Sequence, residues 1–200
     1  MKIGTIILCA GNSSRMHTPK MHLLFANNQT FIEHLINVYK SINSKIYVVL
    51  SVENYKTIKS SHILNNDDVI PVFNHSPEKE KLYSLYLGLL RSNENFNFIQ
   101  NIDNPFVSKN LLLQMIQSSD NNSYVKPIFQ NKGGHPILLG KHLKDEFIYH
   151  YLSSKLDSLS YFLNKYQCIK IPVLDDKILA NINTPEDYQK YFKMEKMKAN

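Results

Sequence analysis

The chain has 200 residues, 43% of them hydrophobic and 20% charged, which excludes disorder and, at about 150 residues per domain, predicts one domain with an ample core. The net charge of +6 is a mild bias toward small anionic partners such as nucleotides, without the concentrated basic stripe of a nucleic-acid binder. Cys9 and Cys168 are the only cysteines, so a disulfide scaffold or cysteine zinc site is excluded and two buried thiols of a reducing compartment are expected. No apolar run approaches the roughly 20 residues of a membrane span, and the short run after Met1 lacks a leader's cleavage site. A soluble, cytoplasmic protein with no membrane partner is expected.

The continuous apolar run Ile3–Cys9 stops at Gly11-Asn12-Ser13-Ser14, the pattern of a central parallel strand buried on both faces. Thr30 and Glu33 have capping-box spacing, and Ile32, Leu35, Ile36 and Tyr39 follow with helical periodicity. Residues 45–50 read as a second strand, and residues 69–73 as a third, placed near an edge by Pro71. Leu82, Leu85, Tyr86 and Leu89 form another helical stripe. A strand over 97–102 ends at Asp103-Asn104-Pro105, and Ser108 caps a helix with Leu111, Leu112, Met115 and Ile116 on its core face. Strands are also predicted over 124–129, 136–139 and 168–173. A last helix opens at Thr184-Pro185-Glu186-Asp187. The Asn-rich stretches 93–97 and 120–123 read as loops, and 192–200 as a frayed tail. This alternation predicts an α/β fold, a mostly parallel central sheet with helices on both faces, forming a single domain over 1–200.

Ligands of such sheets bind beyond the carboxyl ends of the strands. The first loop runs Leu8-Cys9-Ala10-Gly11-Asn12-Ser13-Ser14-Arg15-Met16-His17-Thr18-Pro19-Lys20. Gly11 and the small polar residues after it let backbone N–H groups approach a polyanion, and Arg15 and Lys20 add two cations to bracket a phosphate chain. Neither G-x-x-x-x-G-K-[ST] nor G-x-G-x-x-G is present, which counts against P-loop NTPases and ordinary dehydrogenases. Asp103 faces the same crevice, where a carboxylate can hold Mg²⁺ against phosphate oxygens. Each segment also has an ordinary reading: a solvated basic loop, an Asp-Asn-Pro turn, a surface histidine in Lys132-Gly133-Gly134-His135-Pro136, a helix start after Asn181-Ile182-Asn183. Their order along the chain carries the functional one.

That order resembles the molybdenum cofactor nucleotidyltransferases, and more closely their cytidylyltransferase branch. The family's Leu-Ala-Ala-Gly-x-Ser-x-Arg-Met-Gly-x-Pro-Lys stands here at residues 8–20, its Ser-Leu-x-x-Gly-Leu at Ser84-Leu85-Tyr86-Leu87-Gly88-Leu89, and its Asp-x-Pro at Asp103-Asn104-Pro105. Gly134-His135-Pro136 and Thr184-Pro185-Glu186-Asp187 complete the series over nearly the whole chain. The resemblance implies a Rossmann-like nucleotidyltransferase fold, a three-layer sandwich. It implies that Leu8, Ala10, Gly11, Asn12, Ser13, Ser14 and Ser84 bind the nucleotide, and that Arg15, Lys20 and Asp103 are catalytic. Asp103, Asn181 and Asn183 would hold Mg²⁺, with Mn²⁺ as a substitute, and Gly134, His135 and Pro136 would contact the acceptor. The implied reaction is transfer of CMP from CTP to the terminal phosphate of molybdopterin with release of pyrophosphate, the product passing to a molybdoenzyme or its chaperone.

Ala10-Gly11, where the guanylyl branch has Gly-Gly, and the Gly-His-Pro favour CTP. Asn181 and Asn183, where the cytidylyl branch prefers aspartates, pull toward GTP. His17 and Glu80 replace family glycines, and Leu156-Asp157-Ser158-Leu159 stands for the family's Gly-Asp-x-Gly. Two alternatives remain open: transfer of another base or to another phosphorylated acceptor, and a non-catalytic nucleotide-binding module.

Overall fold

A computed structural model describes residues 1–192 except 12, 17, 27, 59–61, 65 and 154–155, and the side chains of 62 and 80. Four parallel strands form its centre: β1 (Ile3–Cys9), β2 (Lys45–Ser51), β3 (Val69–Asn74) and β4 (Phe96–Asn101). They are continued by β5 (Ser123–Phe129), β6 (Lys132–Gly133), β7 (Ile137–Leu139) and β8 (Gln167–Pro172). The sheet runs β3-β2-β1-β4-β7-β5-β6, with β8 parallel to β5 and β7 antiparallel to both β4 and β5. Pro71 lies on β3 at one end of this order, as its missing N–H predicts.

Every residue of β1 is buried because helices cover both faces. Alternate side chains divide between two apolar clusters, as the two-residue period of a strand demands. Ile3, Ile7 and Cys9 pack with Ile32, Leu35, Ile36 and Tyr39 of α1 (Phe31–Lys40) and with Leu112 and Met115 of α4 (Lys109–Gln117). Ile6 and Leu8 pack with Leu85 and Leu89 of α3 (Glu80–Arg91), Leu143 and Phe147 of α5 (Lys141–Leu152) and Phe162 of α6 (Leu159–Leu163). The capping box forms: Thr30 N donates to Glu33 Oε2 at 2.7 Å, and Glu33 N to Thr30 Oγ1 at 3.4 Å. Ser108 likewise accepts from Leu111 N at the start of α4.

Three expectations are corrected. Phe96 belongs to β4 rather than a loop, and Asn97, read both as the end of the loop and as the start of the strand, lies in the strand, because its buried amide is hydrogen-bonded to Glu94 O and Ser92 Oγ and so costs the strand little; Ser123 likewise begins β5. Cys168, on β8, is only half-buried. Phe192 ends α7 (Pro185–Phe192) and is not frayed: its ring lies 4.7 Å from Tyr188, 5.5 Å from Phe31 and 5.6 Å from Phe106. The rest of the expected tail, 193–200, lies outside the described residues. The helices α2 (Val52–Ile58), α5 and α6 and the short β6 have no counterpart in the sequence reading. Among the described residues no helix is long and apolar enough to cross a membrane.

Candidate active site

The parallel strands β1 to β4 end on one side of the sheet, and a cleft of about 220 Å³ opens there. Leu8, Ala10, Gly11, Ser13, Lys20, Ser84 and Asp103, all expected in the site, line it. The first loop leaves β1 and turns at Ser13, whose φ of 47° lies in the left-handed region. Two hydrogen bonds hold that unusual backbone: Ser13 O accepts from Met16 N at 2.9 Å and Ser13 Oγ from Lys20 N at 3.2 Å. Buried Asn54, on α2, ties the loop to the sheet by donating to the carbonyls of Cys9 at 2.5 Å and Gly11 at 3.4 Å. Ser84 is buried and accepts from Asn74 Nδ2 at 2.9 Å, which joins α3 to the end of β3.

Lys20 and Asp103 meet across the cleft. The ammonium lies 3.7 Å from Asp103 Oδ2, with side-chain exposures of 14% and 18%, and donates to Asn183 Oδ1 at 2.6 Å. Burial lowers the Lys20 pKa, and the attraction of Asp103 opposes that shift. Asp103 is fixed from behind: its carbonyl accepts from Ile182 N at 2.8 Å, which brings the 181–183 segment to the cleft. Asn104 Nδ2 donates to Ile178 O, and Gln100 Nε2 to the carbonyls of Asn101 and Asn104. Burial drives the Cys9 thiol pKa far upward, with Asp103 adding to the effect, so this cysteine stays a neutral wall of the cleft.

Among the described residues Asp103 Oδ1, which is buried, has no hydrogen-bond partner. An unpaired carboxylate oxygen is costly to leave so, and on a residue that lines the cleft it fits a hard cation. Among the described residues no three of His, Cys, Asp and Glu gather into a complete metal cage. The donors present beside the cleft, the Asp103 carboxylate and the Asn183 amide oxygen, suit a divalent ion that takes oxygen ligands and completes its shell with water and substrate phosphates. Asn183 Oδ1 is shared with Lys20, while Asn181 is exposed and its Nδ2 donates to Leu179 O at 3.3 Å.

Other expected residues are placed differently. Ser14 and Arg15 occupy an exposed turn outside the cleft lining, although the Arg15 charge reaches Lys20 and lowers its pKa. Asn12 and His17 lie outside the described residues. His135 is half-buried, and Asn101 Nδ2 lies 2.9 Å from its Nε2. Burial, with help from the Lys81 charge, pushes the His135 pKa down to about 4, so the ring is neutral at pH 7. Gly134 and Pro136 are buried; a Cβ on Gly134 would fall 2.4 Å from Ile178 O.

Sequence reasoning missed Asn54, Lys81 and Asn101. Lys81 was findable as a cation three residues before Ser84 in the first turn of α3, and Asn101 as the last residue of a strand whose end faces the cleft. Lys81 is exposed by surface area yet sits in the concavity, where desolvation lowers its pKa.

The model of the MobA-like NTP transferase domain matches residues 5–165. The chain belongs to this family. The chain is similar to a probable molybdenum cofactor guanylyltransferase of Flavobacterium johnsoniae, 28% identical over 134 residues that cover 67% of this chain and 65% of that relative. The molybdenum cofactor guanylyltransferase of Campylobacter jejuni subsp. doylei is 22% identical over 191 residues, 95% of each chain. Among solved structures, a nucleotidyl transferase from Methanothermobacter thermautotroptrophicus superposes with a TM-score of 0.78 over 100% of this chain and 99% of that one, at 18% identity. The molybdopterin-guanine dinucleotide biosynthesis protein A of Archaeoglobus fulgidus gives 0.69 over 98% and 100%, at 17% identity. The expected Rossmann-like nucleotidyltransferase fold is thus the observed one, and this MobA-like protein is a nucleotidyltransferase. The relatives carry guanylyltransferase names, on the side of the alternative rather than of cytidylyl transfer.

Proposed function

We propose that the protein transfers GMP from GTP to the terminal phosphate of a molybdopterin-type acceptor, releasing pyrophosphate. The carrying observation is Lys20 lying 3.7 Å from Asp103 across the cleft, with its Nζ bonded to Asn183. The names of the relatives and the Asn181-x-Asn183-Thr184-Pro185 sequence support GTP as donor.

An acceptor phosphate oxygen forms the bond to the α-phosphorus, the bond from that phosphorus to the α,β-bridging oxygen breaks, and its electron pair leaves with pyrophosphate. A phosphate monoester, with a second pKa of about 6, is already anionic at neutral pH, so no residue has to act as general base. The work left to the protein is to position two anions and neutralise them. Lys20 lies ready to stabilise charge on the departing pyrophosphate. The first loop, held by Asn54, presents backbone N–H groups to the phosphate chain, and Arg15 adds long-range positive charge from the rim. Asp103, with Asn183 beside it, would hold Mg²⁺ or Mn²⁺. A bound divalent ion there would supply charge neutralisation at the phosphates.

The test is pyrophosphate release from purified protein with molybdopterin and either GTP or CTP, with Mg²⁺ and with EDTA. We expect metal-dependent release at least about tenfold faster with GTP, on the scale of one hydrogen-bonded group recognised or lost. Preference for CTP would return Ala10 to the role of base selector. No release with either nucleotide would refute the reaction and leave another acceptor or a binding module.

A further inference from the structure

Beside the nucleotide cleft lies a second cavity of about 270 Å³, and Leu8, Lys81 and Asn101 line both. Leu82, Leu85, Ile99 and Leu159 give it apolar walls, and His135 and Asp157 add polar groups. That mixture suits a flat heterocycle bearing a polar end: apolar area binds the ring, while a few placed polar groups orient it.

Two observations point to the ligand's charge and position. Asn101 is 3% exposed; among the described residues its buried Oδ1 has no partner, while its Nδ2 is directed at His135 Nε2. An acceptor so buried, on a residue lining both cavities, favours a ligand that brings a donor. The second observation is the division between the two lysines. Lys20 is committed to Asn183 and Asp103. Among the described residues Lys81 makes no salt bridge, and it stands in the first turn of α3, where the helix dipole adds positive potential. The reaction brings two anions together, and each requires a cation of its own.

We infer that the second cavity seats the acceptor, its phosphate drawn to Lys81 at the junction and its ring lying among Leu82, Leu85, Ile99 and Leu159. Asn101 Oδ1 accepts a hydrogen bond from the bound acceptor, and Lys20 is left to the nucleotide. This assignment rests on the proposed guanylyl transfer. Lys81 then acts as a specificity-determining contact for phosphorylated acceptors.

The test is steady-state kinetics of full-length Lys81→Met and Lys81→Arg, varying molybdopterin and GTP separately, with calorimetric titration of GTP and Mg²⁺ alongside. Lys81 is solvent-accessible, so neither variant threatens the core. For Lys81→Met we expect KM for molybdopterin to rise about 10–100-fold, the scale of one charge-assisted hydrogen bond, while KM and Kd for GTP stay within about threefold. Lys81→Arg should recover most of the loss. An unchanged molybdopterin KM, or weakening of GTP binding instead, would overturn the inference while leaving the reaction standing. Absence of wild-type turnover on molybdopterin would refute the reaction and this assignment together.

Discussion

Replacing Lys20 by alanine separates a catalytic charge from a structural one. At 3.7 Å and an effective dielectric constant of about 20, the Lys20–Asp103 attraction is about 4 kcal/mol before desolvation is counted. Desolvation is the larger influence on Lys20, since its pKa is lowered despite that attraction. The pair as a whole therefore contributes little net stability, but Lys20→Ala leaves the largely buried Asp103 carboxylate uncompensated, so the unfolding free energy should fall by about 1–3 kcal/mol, less than for a fully buried pair. Charge developing on pyrophosphate meets the same ammonium with its desolvation already complete. Loss of one such preorganised donor costs about 2.7–4 kcal/mol of transition-state stabilisation, a fall of about 10²–10³ in turnover. Pyrophosphate release at saturating GTP measures the second quantity and chemical denaturation the first. A turnover loss below about threefold would refute the reasoning. So would an activity loss that merely tracks a large loss of stability.

Other substitutions probe the frame around this pair. A Cβ on Gly88 would stand 2.3 Å from Ile6 Cγ2 and 3.1 Å from Val49 Cγ2 in the filled core, so Gly88→Ala should destabilise by about 1–3 kcal/mol and lower Tm by several degrees in a thermal melt. Asn54→Ala removes the tie to the Cys9 and Gly11 carbonyls; calorimetry should find GTP affinity reduced about tenfold, since the loop's ordering then falls on binding. His135 has a pKa of about 4 in the fold against about 6.5 unfolded, so between these values the unfolded chain binds more protons. Its contribution is intact above pH 6.5 and is lost as the pH falls toward 4, by at most about 3 kcal/mol and less for a half-exposed ring. Urea midpoints measured across that window should fall with pH, and His135→Gln should flatten the slope.

The sequence was most legible where one physical demand fixed the residue type. Ile3–Cys9 must be apolar throughout because both faces of β1 are covered, and Thr30 with Glu33 must satisfy the free N–H groups of a helix start. Asp103 was legible as a carboxylate just beyond a strand, and Lys20 as one of two cations in the loop that follows β1. The missed helix α5 carries its core residues Leu143, Phe147 and Tyr151 at a four-residue spacing, but the buried Lys144 interrupts the apolar pattern. Its ammonium donates to Ser92 O, a partner 52 residues distant that no local pattern reveals. Asn54 and Asn101 escaped for the same reason: a buried amide is tolerated only by its hydrogen bonds, and those bonds run to β1 and to His135.

Base choice is where two sequence signals disagreed, and the packing weighs them differently. Ala10, the residue favouring CTP, lines the cleft but is 5% exposed and packs in the apolar cluster with Leu8 and Leu85. Its methyl group thus has a packing role that does not depend on the base. Asn183, the residue favouring GTP, holds the Lys20 ammonium at 2.6 Å beside Asp103. An aspartate there would add a second carboxylate to Asp103, raise the positive charge needed in the cleft and draw Lys20 away from the pyrophosphate position. Asn183→Asp should therefore slow GTP turnover at saturating Mg²⁺ while lowering the Mg²⁺ concentration needed for half-maximal rate, because a second carboxylate binds the ion more tightly. An unchanged rate and Mg²⁺ dependence would deny Asn183 a part in the charge balance and restore Ala10 as the stronger signal.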